Sequence, residues 1–195
     1  MNKQPEITAA TRQHFIDEFC ALYATQPINR ITVKELTTRA GYNRSTFYQY
    51  FSDVYDIQRY IEDQMINDLR RDILSHLIID LHEHKINEDY IACASNFLRT
   101  NEARIRLLLA NPYNHHFTIR IRDEALQTAF SVLQIPSEDV AVQYTLEFYI
   151  GGILALISKW LNEQSTISFE DLAALVKSIL ENGILVQLPD TSTKK

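Results

Sequence analysis

A cluster of arginine and hydroxyl-bearing side chains near residue 45 carries the clearest capacity for chemistry in this sequence. It contains Arg44, Ser45, Thr46, Tyr48 and Tyr50. A guanidinium forms paired hydrogen bonds with a guanine edge, and hydroxyls bond base edges or phosphate oxygens. The residue types therefore suit contacts with DNA, although two short helices around an aromatic core are also common in bundles that do not bind DNA.

Two short helices must position this cluster. Thr32 is a predicted N-cap with Glu35 three residues later, a capping box that opens a helix through Arg39, and Gly41 ends it. Asn43 can cap the next helix, which carries the cluster. The spacing predicts an apolar wedge between the helices, made by Val33, Leu36, Ala40, Phe47 and Phe51. A second helix held this way fits a major groove about 12 Å wide.

The rest of the chain predicts further helices and no strands. Glycine and proline are scarce, at four and five residues, and apolar residues recur at spacings of three and four. A first helix is expected from Ile7 to Thr25, and a long fourth helix follows a cap at Ser52 or Asp53. The remaining helices are expected over residues 87–99, 102–110, 115–133, 137–161 and 168–185. The fold class is all-α.

The segment from Thr32 to Phe51 resembles the signature of the tetracycline-repressor (TetR) family. The resemblance rests on TVKEL at 32–36, Ala40-Gly41 and RSTFYQYF at 44–51. It implies a three-helix DNA-binding head with a helix-turn-helix over residues 1–52, a helical ligand-sensing and dimerisation body over 53–187, and a flexible tail over 188–195. It also implies a homodimer on a palindromic operator, acting as a repressor and released by a small-molecule effector.

By this resemblance, Arg44, Thr46 and Tyr48 match base-reading positions, and Thr32 and Tyr50 match phosphate-contacting ones. The family often has a lysine soon after the Tyr-Phe pair, which this chain lacks, so Tyr55 is expected to substitute through its hydroxyl. The full predicted set of DNA-binding residues is Thr32, Lys34, Tyr42, Asn43, Arg44, Ser45, Thr46, Tyr48, Tyr50 and Tyr55.

The body should contain a surface for a second copy of the chain. Its longest helix is apolar on two faces, and a helix of that kind must bury both. The predicted dimer residues are Tyr149, Gly152, Leu156, Trp160, Leu172, Leu175, Val176 and Ile179. The stretches at 148–176 and 106–117 also resemble a TetR subgroup of dihydroxyacetone kinase operon regulators. A ligand pocket and a filled core both remain open here, and no ligand residue is assigned.

Other function classes find less support. The net charge of −6 lies almost wholly beyond residue 60, so it does not oppose a DNA-binding head. The histidine spacing does not favour a metal site, and we expect no metal, no cofactor and no enzymatic activity. No signal peptide or membrane-length apolar run is apparent, which predicts a cytoplasmic protein without a membrane partner. The alternative is a helical protein-interaction or coactivator subunit that does not bind DNA.

Overall fold

Eight α-helices organise the chain in a computed structural model that describes residues 5–74, 88–111, 114–134, 139–163 and 167–182. They are α1 (Pro5–Tyr23), α2 (Val33–Ala40), α3 (Arg44–Phe47), α4 (Val54–Leu69), α5 (Glu88–Ile105), α6 (His115–Leu133), α7 (Val140–Asn162) and α8 (Phe169–Asn182). These ranges contain no strand, which confirms the all-α prediction. The predicted tail and the breaks at Pro112 and Pro136 lie outside the described residues.

The first three helices form the predicted wedge. Leu36, Ala40, Phe47 and Phe51 are buried, and Val33 packs against them half-buried. Helix α1 closes the wedge with Phe15, whose ring lies 5.4 Å from that of Phe47 in an edge-on arrangement. Helix α3 is shorter than predicted: regular α-helix ends at Phe47, and the chain continues in turns through Tyr50.

Helix α5 merges two helices that the sequence separated at residues 99–102. Asn101 was expected to lie at a break, but its Nδ2 donates to the carbonyl of Phe97 at 3.0 Å, one turn back along the same helix. The helix then continues into a π-helical turn over Arg106–Ala110. A second π-helical turn, Arg70–Leu74, extends α4. The backbone is thus helical through the expected interruption at residues 100–101.

One apolar core runs through both the head and the body. The cluster of buried side chains extends from Phe15 in α1 to Leu161 in α7 without a gap. Helix α4 supplies its middle, with Ile57, Ile61 and Met65 all buried. The division predicted at residues 52–53 therefore does not coincide with a break in packing.

A buried polar network joins the head to the body beside this core. Glu62 of α4 is 2% exposed and accepts from Nη1 of Arg120 at 2.6 Å and from Nδ2 of Asn114 at 3.2 Å. Gln58 also donates to Glu62 at 2.9 Å and lies 3.4 Å from the hydroxyl of Tyr23 in α1. Burial, and then the nearby Glu62 charge, raise the pKa of Tyr23 to about 12. The three helices α1, α4 and α6 are thus tied by paired polar groups.

Helix α7 is, by length and composition, apolar enough to cross a membrane, with a mean hydropathy of 1.6. The expectation that no stretch approaches membrane-spanning length was therefore wrong. The apolar residues come from two faces: Leu154 and Ile157 pack on the body core, while Tyr144 and Phe148 point outward. A helix packed on a core meets the same criterion, so composition alone does not place α7 in a bilayer.

Candidate nucleic-acid interface

The start and end of α2 are fixed by the residues that the sequence singled out. The hydroxyl oxygen of Thr32 accepts from the amide of Glu35 at 3.1 Å, which is half of the predicted capping box. The carboxylate of Glu35 accepts from Gln26 at 3.4 Å. Gly41 ends the helix at φ 72°, a left-handed conformation that favours glycine, and lets the chain turn toward α3.

The start of α3 depends on the side-chain oxygen of Asn43. This oxygen accepts from the amide of Thr46 at 2.8 Å, from the hydroxyl of Thr46 at 2.9 Å and from the hydroxyl of Ser45 at 2.6 Å. Because a hydroxyl has one hydrogen, Ser45 and Thr46 keep only their lone pairs for an outside partner. As placed here they can accept hydrogen bonds from base amino groups.

Three cations of the head have no ion pair or side-chain hydrogen bond within the described ranges. They are Arg30 in the turn before α2, Lys34 in the first turn of α2, and Arg44 at the first position of α3. All three side chains are exposed. Arg30 was not among the predicted site residues; the signal that could have found it is a cation two positions before a helix cap.

The other described arginines of the head each contact a carboxylate or an aromatic ring. Nε of Arg39 lies 2.6 Å from the carboxylate of Glu18, and the guanidinium of Arg12 lies 5.7 Å from the ring centre of Tyr60. Arg59 lies 3.3 Å from Asp56 at the start of α4. The positive charge left for a ligand is therefore concentrated at the N-terminal ends of α2 and α3.

The predicted tyrosines divide into exposed and anchored groups. Tyr48 and Tyr55 are 57% and 45% exposed. Tyr42 is held against α1, with its ring 5.2 Å from that of Phe15, and Tyr50 is half-buried on the same side. Tyr48 is therefore the tyrosine of this group with the most surface free for a groove.

The start of α4 offers less to a phosphate than the resemblance implies. Asp53 caps the helix by accepting from the amide of Asp56 at 2.7 Å, and Asp56 accepts from the amide of Ser52 at 2.9 Å. This bond from Ser52 lowers the pKa of Asp56 below its usual range. Two carboxylates therefore occupy the start of α4, where Arg59 lies 4.0 Å from Asp53 and 3.3 Å from Asp56.

The described arginines of the body other than Arg99 lie near carboxylates, in contrast to Arg44 at the start of α3. Four of them were weighed as an anion site from the sequence. Each now lies near a carboxylate: Arg104 near Asp68 at 3.5 Å, Arg106 near Glu102 at 2.9 Å, Arg120 near Glu62 at 2.6 Å and Arg122 near Asp123 at 2.9 Å. Because each guanidinium has its own carboxylate partner, these four arginines do not form a common anion site.

The outward face of α7 exposes large apolar side chains. Val140, Tyr144 and Phe148 are 58%, 74% and 70% exposed, and Gly152 continues the same face. The sequence missed Tyr144 and Phe148 because it placed the outer stripe one position further along, through Tyr149. Their spacing of four residues was the available signal.

The other predicted dimer residues have mixed positions. Tyr149, Leu156, Leu175, Val176 and Ile179 are half-buried. Leu172 is 4% exposed within the single chain, so the expectation that it lies at a partner surface does not fit its packing. Trp160 is held inside the chain, because its Nε1 donates to the carbonyl of Ile167 at 3.1 Å and its ring lies 5.6 Å from that of Phe169.

A cavity of about 200 Å³ lies within the body, and we call it the body cavity. Helices α4 to α8 all contribute to its wall, for example through Met65, Phe97, Phe117, Ile153 and Val176. The wall is apolar apart from Lys177, among the residues that the structure describes. The described residues therefore do not fill the core of the body completely.

The described residues hold no arrangement typical of catalysis or of a metal centre. They contain no group of three metal-ligating side chains. Burial raises the pKa of the Cys20 thiol to about 11, so the nucleophilic thiolate is scarce at neutral pH. His76, His82 and His84 lie outside the described residues.

Comparison with solved structures identifies the fold. The chain is similar to a TetR transcriptional regulator from Streptococcus agalactiae, with a TM-score of 0.64 and 18% identity over 91% of this chain and 97% of the other. It is also similar to the fatty acid degradation regulator FadR from Bacillus halodurans, with a TM-score of 0.58 and 14% identity over 94% and 98%. The chain has a TetR-type fold. No protein-family model and no curated protein matches it.

Proposed function

We propose that the chain is a DNA-binding transcriptional regulator whose helix α3 enters the major groove. The observation that carries the proposal is the contrast between three unpaired cations around α2 and α3 and the paired arginines of the body. Unpaired surface cations release counterions from DNA when they meet phosphates, which is the main source of affinity. The TetR-type fold, with a three-helix head ahead of a helical body, supports the same function.

Each side chain of the interface has a role that follows from its hydrogen-bonding capacity. Arg44, exposed at the start of α3, reads a guanine through two donors. Ser45 and Thr46 accept from the amino group of adenine or cytosine, since their hydrogens bond Asn43. Lys34 and Arg30 contact phosphates beside the groove. Thr32, Tyr42, Tyr48, Tyr50 and Tyr55 add hydroxyl contacts.

The regulator acts as a homodimer on a palindromic operator in this proposal. The exposed face of α7, from Tyr144 to Gly152, is apolar and suits an identical face around a two-fold axis. Two heads would then address half-sites roughly 34–36 Å apart. We further propose that the protein is a cytoplasmic repressor, that it has no catalytic role, and that a molecule in the body cavity releases it by shifting α4.

Selection from random oligonucleotides tests DNA binding. The full-length protein should enrich a palindrome, and Arg44→Ala should bind it about 5- to 150-fold more weakly and lose preference at one base pair of each half-site. Arg39→Ala is the matched control: its guanidinium bonds Glu18, so the base preference should be unchanged. Failure to enrich any sequence would refute DNA binding and favour a protein-interaction subunit.

A charge placed on α7 tests the dimer. Phe148→Lys should convert the dimer to a monomer in light scattering coupled to size exclusion, because it places an ammonium in an apolar interface. Ile119→Lys is the control, since Ile119 is an apolar residue of similar character that is 48% exposed on a different helix, α6. A monomeric wild type, or dimers with both variants, would remove α7 from this role.

A further inference from the structure

The wall of the body cavity offers almost nothing that can form a hydrogen bond. Its described side chains are those of Leu, Ile, Val, Ala, Phe and Met, with Lys177 as the exception. A ligand hydroxyl or carboxylate moved from water into such a wall loses its hydrogen bonds without replacement. The wall therefore selects against polyols, phosphate esters and other strongly hydrated metabolites.

Both π-helical turns border the cavity. Ile73 and Leu74 of the first turn, and Leu109 of the second, are part of its wall. Turns of this kind are uncommon and are frequently found at functional sites, because they redirect side chains out of regular helical phase. Their coincidence at one cavity is an observation independent of its polarity, and it favours a site over a packing defect.

We propose that the body cavity binds a neutral, hydrocarbon-like molecule of about eight carbon atoms. The size follows from a volume of about 200 Å³, compared with the roughly 150 Å³ apolar cavity that accommodates the six carbons of benzene. The proposed function is needed only for the further step that this molecule acts as the effector of DNA binding. Its ligand class would stand even for a chain that did not bind DNA.

Titration of the full-length protein with ethylbenzene, in the absence of DNA, tests the ligand class. Calorimetry should detect saturable binding, and the melting temperature should rise by about 3–6 °C at ten times the Kd. 4-Methylbenzoate, with the same number of carbons and a charge, and dihydroxyacetone should produce no rise. A rise with either polar compound and none with ethylbenzene would overturn the proposal.

Two alanines of α6 provide matched variants. Ala125 and Ala129 are both buried, but Ala125 lines the cavity and Ala129 does not. Ala125→Leu should fill the cavity, keep the fold and abolish ethylbenzene binding. Ala129→Leu should lower the melting temperature by overpacking while ethylbenzene still binds. Ala94→Leu, also in the wall, provides a second filling variant. Undiminished binding in both filling variants would place the ligand elsewhere.

A Lys177→Met variant tests whether the one cation of the described wall takes part in binding the neutral ligand. Ethylbenzene binding should be unchanged within twofold, and loss of binding would overturn the neutral class. Gel-shift measurement with the selected palindrome then tests the effector role. Ethylbenzene binding with weaker operator binding supports that role, whereas binding with unchanged operator affinity overturns the effector role and still supports the ligand class.

Discussion

Removing the guanidinium of Arg120 should destabilise the whole chain, because Glu62 would be left buried without its cation. Glu62 is 2% exposed and receives Nη1 of Arg120 at 2.6 Å. Arg120 also contacts Asp63 on the same helix. The variant Arg120→Ala therefore removes the one guanidinium that, within the described residues, bridges α6 to these two carboxylates.

The magnitude follows from what remains around Glu62. Losing one partner of a buried ion pair costs about 3–5 kcal/mol. Gln58 and Asn114 still donate to the carboxylate at 2.9 and 3.2 Å, and Arg120 is itself 27% exposed, so water can reach part of the vacated space. We therefore expect a loss of about 2–3 kcal/mol in the free energy of unfolding, or about 5–10 °C in melting temperature.

Urea unfolding followed by far-ultraviolet circular dichroism measures this loss. Arg122→Ala is the control, since Arg122 lies on the same helix and pairs with Asp123 at the surface, where ion pairs contribute little. A double variant, Glu62→Met with Arg120→Met, should recover most of the loss because no charge is left buried. A loss below about 1 kcal/mol, or one equal to that of Arg122→Ala, would show that the network does not stabilise the junction.

Three further predictions follow from the caps and the network. Asn43→Ala should cost about 1 kcal/mol in urea unfolding and weaken operator binding, since three hydrogen bonds at the start of α3 are lost; unchanged values would contradict the capping role. Because the pKa of Asp56 is lowered in the folded chain, its ionised carboxylate stabilises the fold above the pKa that the carboxyl has in the unfolded chain. This stabilisation is lost as the pH falls through the pKa of the folded chain, so Asp56→Asn should flatten the acid side of the curve of stability against pH. An unchanged acid side would contradict this. Because the pKa of Tyr23 is raised to about 12 in the folded chain, the protonated phenol stabilises the fold below a pH of about 10. This stabilisation is lost as the pH rises toward about 12. The difference in free energy of unfolding between the wild type and Tyr23→Phe should therefore narrow between a pH of about 10 and a pH of about 12.

Local patterns in the sequence predicted the head well. The caps at Thr32 and Asn43, the stop at Gly41 and the wedge around Phe47 all depend on residues a few positions apart. The open choice between Ser52 and Asp53 is resolved by the bond that Asp53 accepts from Asp56. Such features arise from backbone geometry, which a single sequence encodes directly.

Three features were not predicted from the sequence, and one of them is made by residues far apart in the chain. Glu62 looks like a surface residue within an amphipathic helix, and its partner Arg120 is 58 positions away. Asn101 looks like a helix break, although its side chain bonds within the helix. The predicted outer face of α7 runs through Tyr149, one position beyond the exposed Phe148. Both faces of this helix are apolar, so periodicity alone does not indicate which face points outward.

Because α4 is one continuous helix, it fixes both the distance and the rotation between the head and the body cavity. Ile57 packs in the head, and Met65, eight positions later, lines the body cavity about 12 Å further along the helix axis. Inserting or deleting one residue between them would rotate one end against the other by about 100°. Changes of chain length should therefore be tolerated in the loops and not here, and a head exchanged between related regulators must keep this count of residues.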